Sequence, residues 1–139
     1  MFDDSIGLRL IEEIEERELA TDFEAIDLSG NLLNLLSYFN GETERIILVD
    51  TAKMGIDPGE YSLFQPKEVE SEKELAGIST HEGDVMKIIH LARELNYSIP
   101  PLTVFGIEPA EIKSEFGLSS TLSRKVPEYL ESLIKEIRL

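Results

Sequence analysis

The stretch that decides the fold is ERIILVDTA, residues 44–52. Four consecutive apolar residues, from Ile46 to Val49, precede the carboxylate of Asp50. An uninterrupted apolar run of this length is typical of a strand that is covered on both faces of a sheet. LTVFGIEP, residues 102–109, is a second buried strand, introduced by two tandem prolines. Together the two stretches predict buried strands in one largely parallel sheet.

Segments with helical spacing of apolar residues alternate with these strands. The first begins at Ile6 and repeats its apolar residues at Leu10, Ile11 and Ile14, with glutamates on the other side. Further helices are predicted for NLLNLLSYFNG (residues 31–41), for residues 80–95, where Val85, Ile88, Ile89, Ala92 and Leu95 form one stripe, and from Ser119 or Ser120 to Leu139.

Two shorter strands complete the predicted fold. One is FEAIDLS, residues 23–29, and the other is EYSLFQP, residues 60–66, after the turn Asp57-Pro58-Gly59. The EYSLFQP strand should return beside its predecessor as an edge hairpin, and the charged residues after it should form an exposed loop or helical turn. The alternation predicts one domain over residues 1–139, an α/β fold built as a three-layer α/β/α sandwich with a mostly parallel sheet.

The chain is strongly acidic, with 13 Lys and Arg residues against 28 Asp and Glu and a formal net charge of -15 at pH 7. Repulsion excludes nucleic acid and anionic membrane surfaces as partners and favours basic, neutral or metal-bearing ones. The absence of cysteine excludes disulfides, thiolate nucleophiles and zinc–thiolate sites. No apolar stretch approaches the roughly 20 residues that span a bilayer. These features predict a soluble cytoplasmic protein with no membrane partner.

Three side chains are predicted at one edge of the sheet, because ligands in open α/β folds bind beyond the carboxyl ends of the strands. Asp4 and His81 stand at helix entrances, and Asp50 ends the most apolar strand. Two carboxylates and an imidazole suit nickel, zinc, manganese or iron, with coordination positions left for another molecule. Each residue also has a structural alternative, as a helix cap, a turn residue or an ordinary first-turn side chain. His90 lies beside the apolar stripe and is predicted to be a surface residue.

Other chemistries have less support in the sequence. It contains none of the serine-nucleophile, phosphate-loop, zinc-protease or dinucleotide-binding motifs. With no cysteine and two histidines, catalysis by a nucleophile and a base is poorly supported. Two aspartates could act as a general acid and a general base if their environments differ. The catalytic residues therefore stay unassigned at this point.

Four stretches, in this order, resemble the nickel-iron hydrogenase maturation proteases: DDSIG (3–7) with its acidic helix, VDTAKMGIDPGE (49–60), GISTHEG (77–83) and VFGIEP (104–109). VDTAKMGIDPGE most resembles the branch that processes formate-hydrogenlyase-type large subunits. The resemblance implies an endopeptidase that removes a C-terminal extension from the large-subunit precursor after nickel insertion, with the nickel as recognition element. The family's metal-contacting positions fall on Asp4, Asp50 and His81. Nickel would arrive with the substrate, and no permanently bound cofactor is expected.

The resemblance also implies a substrate-recognition loop at DLSGN, where Asp27 carries over while Leu28 and Ser29 replace small residues. Family members begin with a buried strand and a Gly-x-Gly-Asn loop before the acidic pair. We expect this chain to be shortened at its N-terminus, to lack that strand, and to expose a sheet edge that supports association with another copy. The alternative function is a non-catalytic acidic module that binds the large subunit, or nickel, without cutting.

Overall fold

A computed structural model describes residues 5–28, 31–66, 80–110 and 118–139, without the side chains of residues 80–84. The α/β class predicted from the sequence is confirmed. In chain order, the elements of these ranges are α1 (Ile6–Glu16), a 3-10 helix (Leu32–Tyr38), β1 (Ile46–Thr51), β2 (Tyr61–Phe64), α2 (Thr80–Glu94), β3 (Leu102–Ile107) and α3 (Ser120–Ile137).

β3 is the central strand of a mixed sheet with the order β1-β3-β2. It pairs with β1 in parallel, with Ile46 opposite Leu102 and Asp50 opposite Gly106. It pairs with β2 in the antiparallel direction. All six residues of β3 are buried, because the strand has a neighbour on each side and a helical layer on each face.

Helices cover both faces of the sheet. On one face, α1 and α3 pack around Phe105 and Ile107. On the other, α2 and the 3-10 helix pack around Leu102 and Val104. Alternate residues of β3 therefore enter different clusters, as the period of a strand requires. None of the described helices is both long enough and apolar enough to cross a bilayer.

The predicted helical stripes agree with the packing. α1 buries three residues of its stripe, and α2 buries four, whereas Leu95 lies beyond the end of α2 and is half exposed. α3 begins after Ser119, whose hydroxyl accepts a hydrogen bond from the N–H of Leu122 at 3.3 Å. Pro127 lies inside α3. The stretch 31–41 forms a short 3-10 helix followed by a turn.

The strand predicted for residues 23–29 is wrong over its described part. Residues 23–28 have no strand structure, although Phe23 and Ala25 pack against one cluster and Leu28 against the other. A strand exists only where its backbone groups pair with a neighbour, and no described strand pairs with this segment. The apolar pattern here marks side-chain packing on both clusters without a ladder.

β2 forms where it was predicted, after a turn in which Gly59 has a φ of 88°. Its expected partner was β1, and this detail is wrong, because it pairs with β3. The chain that leaves β1 crosses the end of β3 on its way to β2. The N–H of Ala52 donates to the carbonyl of Ile107 at 2.9 Å, and that of Gly59 donates to the carbonyl of Glu108 at 2.8 Å. Most of the charged stretch that follows β2 lies outside the described residues.

β1 is an edge strand in the part of the chain that the structure describes. Its first five residues are only partly buried. The N–H groups of Ile46 and Ala52 donate to Pro101 and Ile107 of the β3 chain, both at 2.9 Å. By the alternation of a strand, Ile47 and the other odd-numbered residues direct their N–H groups away from β3. The apolar run therefore predicted the covered faces of β1 but not its open edge.

Candidate functional site

Asp50 lies at the carboxyl end of β1, opposite Gly106 of β3, and is partly buried. Its Oδ1 accepts a hydrogen bond from the N–H of Thr51 at 2.8 Å. That N–H faces away from β3, so the Asp50 side chain satisfies a donor at the open edge of β1. Thr51 and Ala52, the next two residues, are each only 1% exposed. The carboxylate is therefore attached to a buried, hydrogen-bonded backbone.

The first turn of α1 lies against the same end of β1. A Cβ built on Gly7 would be 3.0 Å from the carbonyl oxygen of Val49, which is tighter than ordinary contact. A glycine at position 7 is what allows this close approach. Ser5 is the residue that precedes α1. Asp4 comes immediately before it and lies outside the described residues, so its place at this edge stays a prediction.

The beginning of α2 lies at the same edge by topology. α2 ends where the N–H of Tyr97 donates to the carbonyl of Ala92 at 2.9 Å, and Asn96 turns the chain with a φ of 58°. A helix that packs on the strand it precedes runs antiparallel to that strand. Fifteen helical residues rise about 22 Å, and six strand residues span about 20 Å, so the first turn of α2 reaches the carboxyl end of β3. His81 lies in that turn, and its side chain is not described.

The other predicted residues take different places. Asp27 is exposed and lies outside the helices and strands. His90 is exposed on α2, as predicted. Among the side chains that the structure describes, no three His, Asp or Glu residues gather closely enough to hold a metal ion. Asp4 and the His81 side chain lie outside that set, so the trio with Asp50 stays a prediction.

Glu108 is a residue of this edge that sequence reasoning missed. It follows β3 directly and is only 9% exposed. Its Oε1 accepts a hydrogen bond from the N–H of Met54 at 2.6 Å, in the loop that leaves Asp50. The signal that could have found it is the one that found Asp50, namely a carboxylate placed immediately after a buried strand.

Comparisons with known proteins agree with this architecture. A family model described as hydrogenase maturation protease (HycI) matches residues 8–136. The hydrogenase expression/formation protein HupD of Rhizobium leguminosarum bv. viciae is 22% identical over 138 residues, 98% of this chain and 68% of that protein. HupD of Bradyrhizobium diazoefficiens is 27% identical over 116 residues, 83% of this chain and 60% of that protein. This chain therefore spans about two thirds of the length of these relatives.

A solved structure shares the fold. The structure of the hydrogenase maturating endopeptidase HybD from E. coli superposes with a TM-score of 0.82 at 23% identity, over 99% of this chain and 85% of that one. At this level of identity the agreement concerns the course of the backbone.

Proposed function

The chain belongs to the hydrogenase maturation protease family, and from that premise we propose that it cuts a C-terminal extension from the nickel-loaded precursor of a [NiFe]-hydrogenase large subunit. Asp4, Asp50 and His81 contact the nickel carried by this substrate. The observation that carries the proposal is the Asp50 carboxylate, held by the Thr51 N–H at the edge where α1 and α2 begin.

This edge suits a metal that arrives already bound to another protein. Two carboxylates and one imidazole leave coordination positions for the ligands of the precursor. A protein that captured free nickel would need a more complete set of its own ligands. The net charge of -15 also favours approach of a cationic centre over an anionic one. The proposal therefore treats the nickel as part of the substrate.

The three residues can assist cleavage in two ways. In the first, they hold the nickel near the scissile bond, where it would polarise the carbonyl or activate a water molecule. Alternatively, they dock the nickel and thereby order the substrate tail for cleavage by groups not yet assigned. Both routes require the Asp50 carboxylate in a fixed orientation, which the hydrogen bond to Thr51 supplies.

The decisive experiment mixes the purified protein with nickel-loaded precursor and, in parallel, with nickel-free precursor, and follows intact mass. We expect a C-terminal mass loss in the nickel-loaded sample alone. Stable binding of the loaded precursor without mass loss would identify the non-catalytic acidic module. Equal cutting of both precursors would remove nickel from recognition.

The histidines of α2 give a matched pair of variants. His81→Ala should abolish processing, and the free energy of unfolding should change by no more than about 0.5 kcal/mol, as for an ordinary surface substitution. His90→Ala, an equally conservative change at an exposed position of the same helix, should leave processing unchanged. Processing by the His81 variant at the wild-type rate would return His81 to a structural role.

Asp27 has a separate expected effect as a substrate-recognition residue. Asp27→Ala should raise KM for the precursor while kcat is retained, because a docking contact acts on bound substrate and transition state alike. A fall in kcat at unchanged KM would contradict this role. Steady-state kinetics by mass spectrometry separate the two outcomes.

A further inference from the structure

Glu108 occupies the point where the chain of β3 stops pairing with β1 and continues beside β2. Its N–H donates to the carbonyl of Glu60 at 2.8 Å, and its carbonyl accepts from the N–H of Gly59 at 2.8 Å. Both backbone groups of Glu108 are therefore used on the β2 side. No backbone group of this residue is left for the loop that leaves β1.

The side chain of Glu108 supplies the missing partner. Along the β1 chain, every second residue faces β3: Asp50 is opposite Gly106, and the N–H of Ala52 donates to Ile107. The next residue in this series is Met54, and its N–H donates to Oε1 of Glu108 at 2.6 Å. The carboxylate thus extends the β1–β3 ladder by one step beyond the end of the strands.

The loop after Asp50 lies closely on the end of β3. A Cβ built on Gly106 would be 3.3 Å from the Cβ of Ala52 and 3.5 Å from the Sδ of Met54. These two loop residues therefore lie close to Gly106, where the absence of a side chain leaves room for them. Glu108 is 9% exposed and Met54 is partly buried, so loss of this acceptor would leave a partly shielded N–H without its protein partner, which is unfavourable.

We propose that Glu108 is a positioning residue for cleavage, which holds the loop of residues 52–54 against the end of β3 and thereby orients the Asp50 carboxylate. Glu108 acts through Met54 and does not itself contact the substrate. The effect of Glu108 on the cleavage rate rests on the proposed function. Its effect on the Met54 amide and the Asp50 carboxylate rests on the loop geometry alone.

Two variants of Glu108 test the hydrogen bond. Glu108→Ala removes the acceptor and should lower kcat/KM for nickel-loaded precursor about 10- to 100-fold, the range found when a supporting hydrogen bond behind a metal ligand is lost. Glu108→Gln keeps an amide oxygen that can accept from Met54 and should stay within about threefold of wild type. Rescue by glutamine separates the hydrogen bond from the negative charge.

Hydrogen exchange and NMR follow the same bond without substrate. The Met54 amide should exchange at least about tenfold faster in Glu108→Ala, because its protection depends on that acceptor. The carboxyl 13C resonance of Asp50 should shift in the same variant. Both signals should remain at their wild-type values in Glu108→Gln.

Tyr129→Phe is the matched control for stability. The Tyr129 hydroxyl donates to the carbonyl of Gly59 at 2.6 Å, and Tyr129 is fully buried. This bond holds the turn that precedes β2, near Glu108 but on the side away from β1. Its loss should lower Tm by an amount comparable to Glu108→Ala. Processing, the Met54 amide and the Asp50 resonance should all be unaffected in this variant.

The outcomes separate the two claims. Two outcomes overturn the positioning role and make Glu108 structural. In the first, Tyr129→Phe and Glu108→Ala both lose processing in proportion to their fall in Tm. In the second, Glu108→Ala loses protection of the Met54 amide yet processes the precursor normally. If the wild-type protein does not cut the precursor, the proposed function fails. The positioning role is then decided by the Asp50 resonance, and an unchanged resonance in Glu108→Ala overturns it.

Discussion

β1 and β3 are neighbours of equal length with similar apolar sequences, and their burial differs at every position but the last. Every residue of β3 is buried, whereas the first five residues of β1 are only partly so. The cause is position in the sheet, because β3 lies between two strands and β1 has a described neighbour on one side. The difference teaches that β3 contributes most to the stability of the sheet, whereas β1 places the Asp50 carboxylate at the edge of the sheet.

The parallel register allows this comparison to be tested pair by pair, since each residue of β1 has a defined partner on β3. Identical or matched substitutions at partner positions should have unequal effects. Each pair is measured by urea unfolding, in which the midpoint and slope give the free energy of unfolding.

Proline should give a large contrast, at the pair Ile47 and Thr103. Thr103 directs its N–H towards β1, so Thr103→Pro removes a ladder bond in the central strand and should cost about 3 kcal/mol or more. Ile47 directs its N–H away from β3, so Ile47→Pro should cost about 1–2 kcal/mol, mainly through lost packing. Equal losses at the two positions would contradict the assignment of β1 as an edge.

Alanine should give a contrast at least as large, at the pair Val49 and Phe105. Phe105 is fully buried and stacks on Tyr61 with ring centroids 4.8 Å apart. Phe105→Ala should destabilise the protein by about 3–5 kcal/mol. Val49→Ala should cost about 1 kcal/mol, because this side chain is partly exposed and leaves little cavity. If Val49→Ala lowered the free energy of unfolding by more than Phe105→Ala does, the core would not be centred on β3.

The pair Asp50 and Gly106 should separate stability from function. In Gly106→Ala, the new Cβ would be 2.9 Å from Cε1 of Phe64, and such overpacking should cost about 1–3 kcal/mol. Asp50→Ala loses the bond to Thr51 and should cost about 1 kcal/mol. Its processing of nickel-loaded precursor should nevertheless fall at least about 100-fold, because a metal-contacting group is lost. Retained processing would remove Asp50 from the site.

Self-association should be the smallest effect. The outward N–H and C=O groups of Ile47 and Val49 face no other strand among the described residues and can form a template for a second copy, and the charge of -15 on each chain opposes the approach. We expect weak, concentration-dependent association in sedimentation velocity, stronger at high salt, where repulsion is screened. Ile47→Pro should weaken it, because one outward N–H is lost. Sedimentation that is independent of concentration and salt would contradict association through this edge.

The elements of the fold were predictable where packing alone defines them. The helical spacing of apolar residues in α1 and the continuous apolar run of β3 are local patterns, and both elements formed as predicted. The strand at residues 23–29 and the partner of β2 were wrong, because pairing depends on which strand lies alongside. That neighbour is set by the crossing at Ala52 and Gly59, which no local pattern encodes.

The position of Asp50 was predictable, because a carboxylate at the end of a buried strand must lie at the sheet edge. Its contact with a metal, together with Asp4 and His81, stays a prediction. Glu108 carries the same signal and was missed, since VFGIEP was interpreted as the close of a strand. The hydrogen bond between Glu108 and Met54 joins residues far apart in the chain, so its existence depends on the register of β1 against β3.

The central place of β3 has a consequence for synthesis on the ribosome. β3 is the last strand of the described sheet to be made, yet both other strands pair with it and not with each other. Until Ile107 has emerged, β1 and β2 lack the only partner that the described strands offer them, and the apolar run of β1 stays available to other nascent chains. Non-local parallel pairing of this kind is slow to form and prone to aggregation. Translation rate and chaperone binding between β2 and β3 should therefore control the yield of folded protein.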